Sequence, residues 1–122
     1  MADEPVILVT RNVPPNMEAR LGPGAALPGR SPAYSGSLTA VLMPEGVDAD
    51  AFRAVVLERF DMSLGNGLGK VAGRVFRIGH LGDMNDLMLA GTLGGIEMGL
   101  QAAGIPFTPG GVTAALAFMA ED

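Results

Sequence analysis

The sequence predicts an α+β fold: a small antiparallel sheet with helices packed on one face, preceded by an irregular Pro/Gly-rich leader. Three observations predict it. Short β-prone runs at 37–43 and 74–80 are bounded by turn residues. Apolar residues recur at helical spacing after Asp48 and again from about Met84 to Ala103. Six of the nine prolines crowd into the stretch from Pro5 to Pro32.

In residues 1–34, Gly22, Gly24 and Gly29 join those prolines, and no strand or helical period survives after Val9, so the segment reads as linker or disorder. Ser37 to Met43 (SLTAVLM) is a short strand that ends at Pro44, and Pro44-Glu45-Gly46 is turn chemistry. Asp48 is placed to cap a helix whose apolar residues are Phe52, Val55, Val56 and Phe60, with Asp50, Arg53, Glu58 and Arg59 on other faces. Met62 to Leu64 forms a second, very short strand, the glycines at 65, 67 and 69 a loop, and Arg74 to His80 (RVFRIGH) a third extended run. Strands on either side of a Gly loop suggest an antiparallel pair.

Asp83, followed by Asp86, resembles a capping box built from carboxylates, and the helix it starts runs from about Met84 to Ala103 before Gly104 and Pro106 stop it. Leu89, Leu93, Ile96 and Leu100 make its apolar stripe, and Gly91, Gly95 and Gly99 a line along which a neighbouring element can approach closely. A last helix, Gly111 to Ala120, turns Val112, Ala115, Leu116 and Met119 inward. The order strand, helix, strand, strand, helix, helix suits one layer of sheet and one of helices, a single domain over residues 35–122.

Composition narrows the function classes. The chain of 122 residues has 13 acidic against 8 basic residues and a formal charge of −5, which gives it no general attraction for nucleic acid or an anionic membrane. It has no cysteine, which excludes disulfides, thiolate nucleophiles and thiolate metal sites. The acidic start, Asp3 and Glu4, and the short apolar run Val6 to Val9 do not make a secretory signal, so a cytoplasmic location is the default. Met98 to Ala120 is uncharged, but Pro106, Pro109, Gly110 and Gly111 divide it into two helices rather than a membrane span.

Few residues offer chemistry. The stretch Gly65-Asn66-Gly67-Leu68-Gly69-Lys70 invites comparison with a phosphate loop, but Leu64 and Val71 stand where a Walker loop needs Gly and Ser or Thr. Lys70 likewise replaces the third glycine of a dinucleotide fingerprint. A flexible connection is the better account. His80 is the only histidine, placed either to hydrogen-bond within a turn or to face a cleft, and Asp83 and Asp86 suit helix capping better than metal ligation. Arg77 sits in the otherwise apolar strand Val75-Phe76-Arg77-Ile78, where a guanidinium needs a reason. Its planar fork fits a carboxylate, and the alternatives are a solvated edge position or a structural pair with Asp83 or Asp86.

The pieces SLTAVLMPEG (37–46), DADAFRAVVLERFDMSLG (48–65), GLGKVAGRVFRIGHLGDMNDLMLAGTLGGIEMGL (67–100) and AGIP (103–106) resemble the C-terminal small domain of serine–glyoxylate aminotransferases, class V enzymes dependent on pyridoxal phosphate. The match is to long text rather than to a short motif. In that family the arginine of the R-I-G segment binds the substrate carboxylate, and Arg77 holds the matching position. The resemblance thus implies a truncated aminotransferase that supplies the carboxylate-binding domain and is inactive alone, since the cofactor and its Schiff-base lysine belong to a large N-terminal domain. Lys70, the only lysine, does not match that position, and no cofactor is expected for this chain by itself. Implied partners are an amino-acid or 2-oxo-acid carboxylate and a separately encoded large domain or a second copy, with no nucleic acid and no membrane. The alternative is a non-catalytic remnant or protein-interaction domain.

Overall fold

A computed structural model of the chain describes residues 6–8 and 37–121. Four strands form one antiparallel sheet: β1 (Val6–Leu8), β2 (Leu38–Leu42), β3 (Gly65–Asn66) and β4 (Val75–Gly79), in the spatial order β1-β2-β4-β3. The fold is α+β, as the sequence predicts. β2 and β4 are the central pair, with Ala40 opposite Arg77 and Val41 opposite Phe76. Their Val, Ile, Leu and Phe residues fit a pleated surface packed on one side.

Two strands differ from expectation. The leader over residues 1–34 was expected to be irregular, yet Val6–Leu8 pair with β2 from Val6↔Leu42 to Leu8↔Ala40. A three-residue Val-Ile-Leu run has no readable period of its own; the open edge of β2 gives its backbone a partner. The remainder of that leader lies outside the described residues. The short strand expected at Met62 to Leu64 falls instead on Gly65–Asn66, because Leu64 is buried in the core and Met62 packs against it. The residue that lies opposite Arg77 is Gly65, which has no side chain to obstruct it.

Helix α1 (Ala49–Phe60) covers one face of the sheet. The Asp48 carboxylate accepts the Asp50 N–H at 2.9 Å, as its position predicts, and Asp61 closes the helix in a left-handed conformation (φ 55°) with its N–H bonded to the Leu57 carbonyl. The Phe52 and Phe76 rings meet at 5.1 Å between centroids, tilted by 45°. Around them Met43, Ala49, Val56, Leu64 and Ile78 complete a buried core. Burying each large apolar side chain there contributes about 1.5–3 kcal/mol.

Helix α2 (Asp86–Ala102) packs on α1, and α3 (Gly111–Met119) on α2. The cap of α2 is Asn85, not Asp83: the Asn85 Oδ1 accepts the Met88 N–H at 2.9 Å, while Asp83 is exposed upstream and Asp86 lies in the first turn. The helix ends in a paired motif: Ile105 N–H donates to Leu100 O and Gly104 N–H to Gln101 O, with Gly104 at φ +70°.

The glycine line is used at two of its three positions. A Cβ on Gly99 would collide with Val56 and lie 3.1 Å from Phe52, and one on Gly95 would sit 2.9 Å from the Met62 methyl, whereas one on Gly91 would meet nothing. In α3, Val112, Ala115 and Met119 are half-buried, but Leu116 is exposed and Phe118 takes an inward place. Among the described residues no helix is long and apolar enough to cross a membrane.

Candidate functional site

The strand alternation of β4 divides its side chains between two environments. Phe76 and Ile78 enter the core beneath α1, so Arg77 projects from the opposite face of the sheet. Its neighbours across both ladders are small: Ala40 on β2 and Gly65 on β3. The side chain therefore has room to run over β3, and its Nε donates to the Asn66 carbonyl at 2.6 Å. A hydrogen bond from Nε uses one of the five guanidinium N–H groups, and the other four lie on the two terminal nitrogens. Among the described residues nothing pairs with them, neither Asp83 nor Asp86 included. The structural pair with either aspartate, one of the alternatives for Arg77, is not formed.

A second arginine uses the same segment from the other side. Arg53, on α1, donates from Nε to the Leu64 carbonyl at 2.8 Å, but its Nη1 is already paired with Asp50 at 3.0 Å. It fastens the helix to the chain entering β3. Sequence spacing gave no sign of this contact, since a carbonyl acceptor has no signature in residue type.

The remaining candidates have structural roles. His80 Nε2 lies 2.9 Å from Thr39 Oγ1, and its backbone N–H donates to the Ser37 carbonyl, so the histidine ties the start of β2 to the end of β4. In the Gly-rich stretch, a Cβ on Gly67 would collide with the Val71 carbonyl, and Gly69 has φ +58°. Those glycines permit a close turn ending in one 3-10 turn at Gly69–Val71. The described residues contain no cluster of three or more metal-ligating side chains.

Nor do the described residues fit pyridoxal phosphate. Such a site needs a lysine enclosed beside a phosphate anchor and a carboxylate for the pyridine nitrogen. Lys70 is exposed on the 3-10 turn.

No protein-family model matches the chain. It is 47% identical over 95 residues to a serine–glyoxylate aminotransferase of Methylorubrum extorquens, a match covering 76% of this chain and 24% of that protein. It is also 47% identical over 83 residues to an L-aspartate–glyoxylate aminotransferase of Paracoccus denitrificans, covering 67% and 21%. Among solved structures, pyridoxamine–pyruvate aminotransferase of Mesorhizobium loti superposes with a TM-score of 0.66 at 30% identity, over 76% of this chain and 24% of that one. Ureidoglycine–glyoxylate aminotransferase of Bacillus subtilis gives 0.64 at 26% identity, over 70% and 22%. The chain thus spans about a quarter of the length of the relatives it matches.

Proposed function

This chain is homologous to the C-terminal region of serine–glyoxylate aminotransferases of class V, and from that premise we propose that it is the small domain that binds the substrate carboxylate of a pyridoxal-phosphate transaminase, through Arg77. The observation that supports this reading most is the state of the guanidinium: Nε is held by the Asn66 carbonyl, and among the described residues nothing pairs with the two terminal nitrogens. Two parallel charge-assisted N–H···O bonds fix both the position and the plane of a carboxylate. Glyoxylate and pyruvate, named for the relatives, and serine and aspartate as their amino donors all present that group next to the reacting carbon. One fixed arginine therefore serves donor and acceptor alike, and orienting the substrate is its contribution to rate.

When bound, pyridoxal phosphate supplies the electron sink for transamination. The residues that would hold it are proposed to lie outside these 122, on a large domain in the same protein or on a separate chain, so turnover depends on that partner and the chain alone is inactive. Exposed Leu81, Leu87 and Met88, at and before the start of α2, support the second reading, a module whose task is association with another protein.

Titration of the ¹⁵N-labelled chain with glyoxylate tests the carboxylate role. Saturable shifts are expected at Arg77, Gly65 and Asn66, and Arg77→Lys, which lacks the planar fork, is expected to weaken them about tenfold or more. Shifts that do not saturate, or that are equal in the variant, would remove the carboxylate role and leave the association module.

A further inference from the structure

We infer that Gly65 is a positioning residue for Arg77: the missing side chain at this one place lets the Asn66 carbonyl hold Nε and so aims the terminal nitrogens of the guanidinium at the ligand. The inference rests on the reading of Arg77 as the carboxylate-binding group and names what sets its direction.

Three observations carry it. Gly65 and Arg77 are directly opposed in the β3–β4 ladder, so any side chain at 65 emerges on the same face as Arg77. A Cβ on Gly65 would stand 3.1 Å from the Arg77 Cβ and 3.3 Å from its Nε, both tighter than ordinary van der Waals contact. The conflict is therefore with the path of the arginine side chain, at its root and at the nitrogen that makes the hydrogen bond. The bond itself, Nε to Asn66 O at 2.6 Å, comes from the residue adjacent to Gly65. Moving Nε by a few tenths of an ångström to accommodate a methyl group lengthens or bends this bond and rotates the plane of the fork, since the guanidinium is rigid.

The glycine is not demanded by backbone conformation. Gly65 is not among the glycines with positive φ, so alanine is compatible with its backbone and the space taken by Arg77 is what excludes it. That separates it from Gly67, whose Cβ would meet the backbone carbonyls of Val71 and Val75, and whose replacement would disturb the turn itself.

The test uses the full chain, ¹⁵N-labelled, at mildly acidic pH where arginine Nε–H signals are observed. In the wild type the Arg77 Nε–H is expected to be shifted and to exchange slowly with solvent, and glyoxylate is the probe for binding. Gly65→Ala is expected to keep the dispersed amide spectrum of the folded chain, to speed Nε–H exchange to that of a free guanidinium, and to weaken glyoxylate about tenfold or more through loss of one of two charge-assisted bonds. Gly91→Ala, which adds its methyl in open space on α2, is expected to leave both readouts as in the wild type.

A slowly exchanging Nε–H in Gly65→Ala, or glyoxylate binding within twofold of wild type, overturns the inference. If the wild type does not bind glyoxylate, the carboxylate role fails, and the exchange rate still decides whether Gly65 aims Arg77. If Gly65→Ala does not fold, the double variant Gly65→Ala/Arg77→Gly, which removes both the Cβ and the Nε that the new methyl would meet, decides: a recovered fold places the conflict on the arginine side chain, and continued loss places it on the backbone and overturns the inference.

Discussion

Arg53 and Arg77 grip the same few residues of chain from opposite sides, and they end in different states. Each donates Nε to a carbonyl of the segment around β3, Leu64 for the first and Asn66 for the second. Arg53 finds its terminal partner on its own helix, where Asp50 lies three residues back, and becomes a strut between α1 and the sheet. Arg77 emerges from a strand between Ala40 and Gly65, which offer no carboxylate, and among the described residues nothing pairs with its terminal nitrogens. The difference lies in the neighbours and not in the side chain. A helix supplies charged residues at i−3 and i−4, whereas the flanking positions of a sheet face supply whatever the adjacent strands put there.

Breaking the closed side is expected to cost most. Phe76→Ala removes one of the two tilted rings that meet between α1 and the sheet, and loss of a buried phenylalanine with partial collapse of the cavity is expected to cost about 3–5 kcal/mol. Against a total of about 5–15 kcal/mol for a native domain, this leaves a chain near its unfolding threshold, which urea titration followed by circular dichroism will read. Smaller, and of opposite signs, are two glycine replacements on α2. Gly99→Ala drives a methyl into Val56 and Phe52 and is expected to destabilise by about 1–3 kcal/mol through overpacking. Gly91→Ala meets nothing and is expected to stabilise by up to about 1 kcal/mol through helix propensity. The same denaturant midpoints separate them, and equal effects would mean that α2 does not approach α1 through Gly99.

The closed side was largely legible in the sequence. Asp48 as cap, Phe52 and Val56 at helical spacing, and the alternation of Val75 to Gly79 follow from periodicities of residue type. Legibility failed where an element is defined by partners distant in sequence or by backbone atoms. Val6–Leu8 become a strand only because β2 is there to pair with them, more than thirty positions along the chain. Among Asp83, Asn85 and Asp86, three good capping types within one turn, residue type alone could not select Asn85; the geometry that brings its Oδ1 to Met88 N–H did. For Arg77 the sequence located the residue and its face, and the resemblance to aminotransferases assigned it a ligand. What orients it, the carbonyl of Asn66 and the bare Cα of Gly65, consists of a backbone atom and a missing one. The glycine was visible only as one member of a Gly-rich loop.

The smallest expected effect is the one that tests the comparison most directly. Arg53→Ala strips the partner from the carbonyl of Leu64, a residue only 5% exposed, and water has little access to replace it. An orphaned, largely buried acceptor is expected to cost about 1–2 kcal/mol, with the exposed ion pair to Asp50 adding little. Arg77→Ala strips the carbonyl of Asn66, which is exposed and can be rehydrated. Its cost is therefore expected to stay below about 1 kcal/mol, the net value of one solvent-accessible hydrogen bond. Chemical denaturation of the two variants side by side measures the difference. Arg77→Ala costing as much as Arg53→Ala or more would mean that the open fork is a strut as well, held in the fold by a contact on which stability depends, and the contrast between the two arginines would be lost.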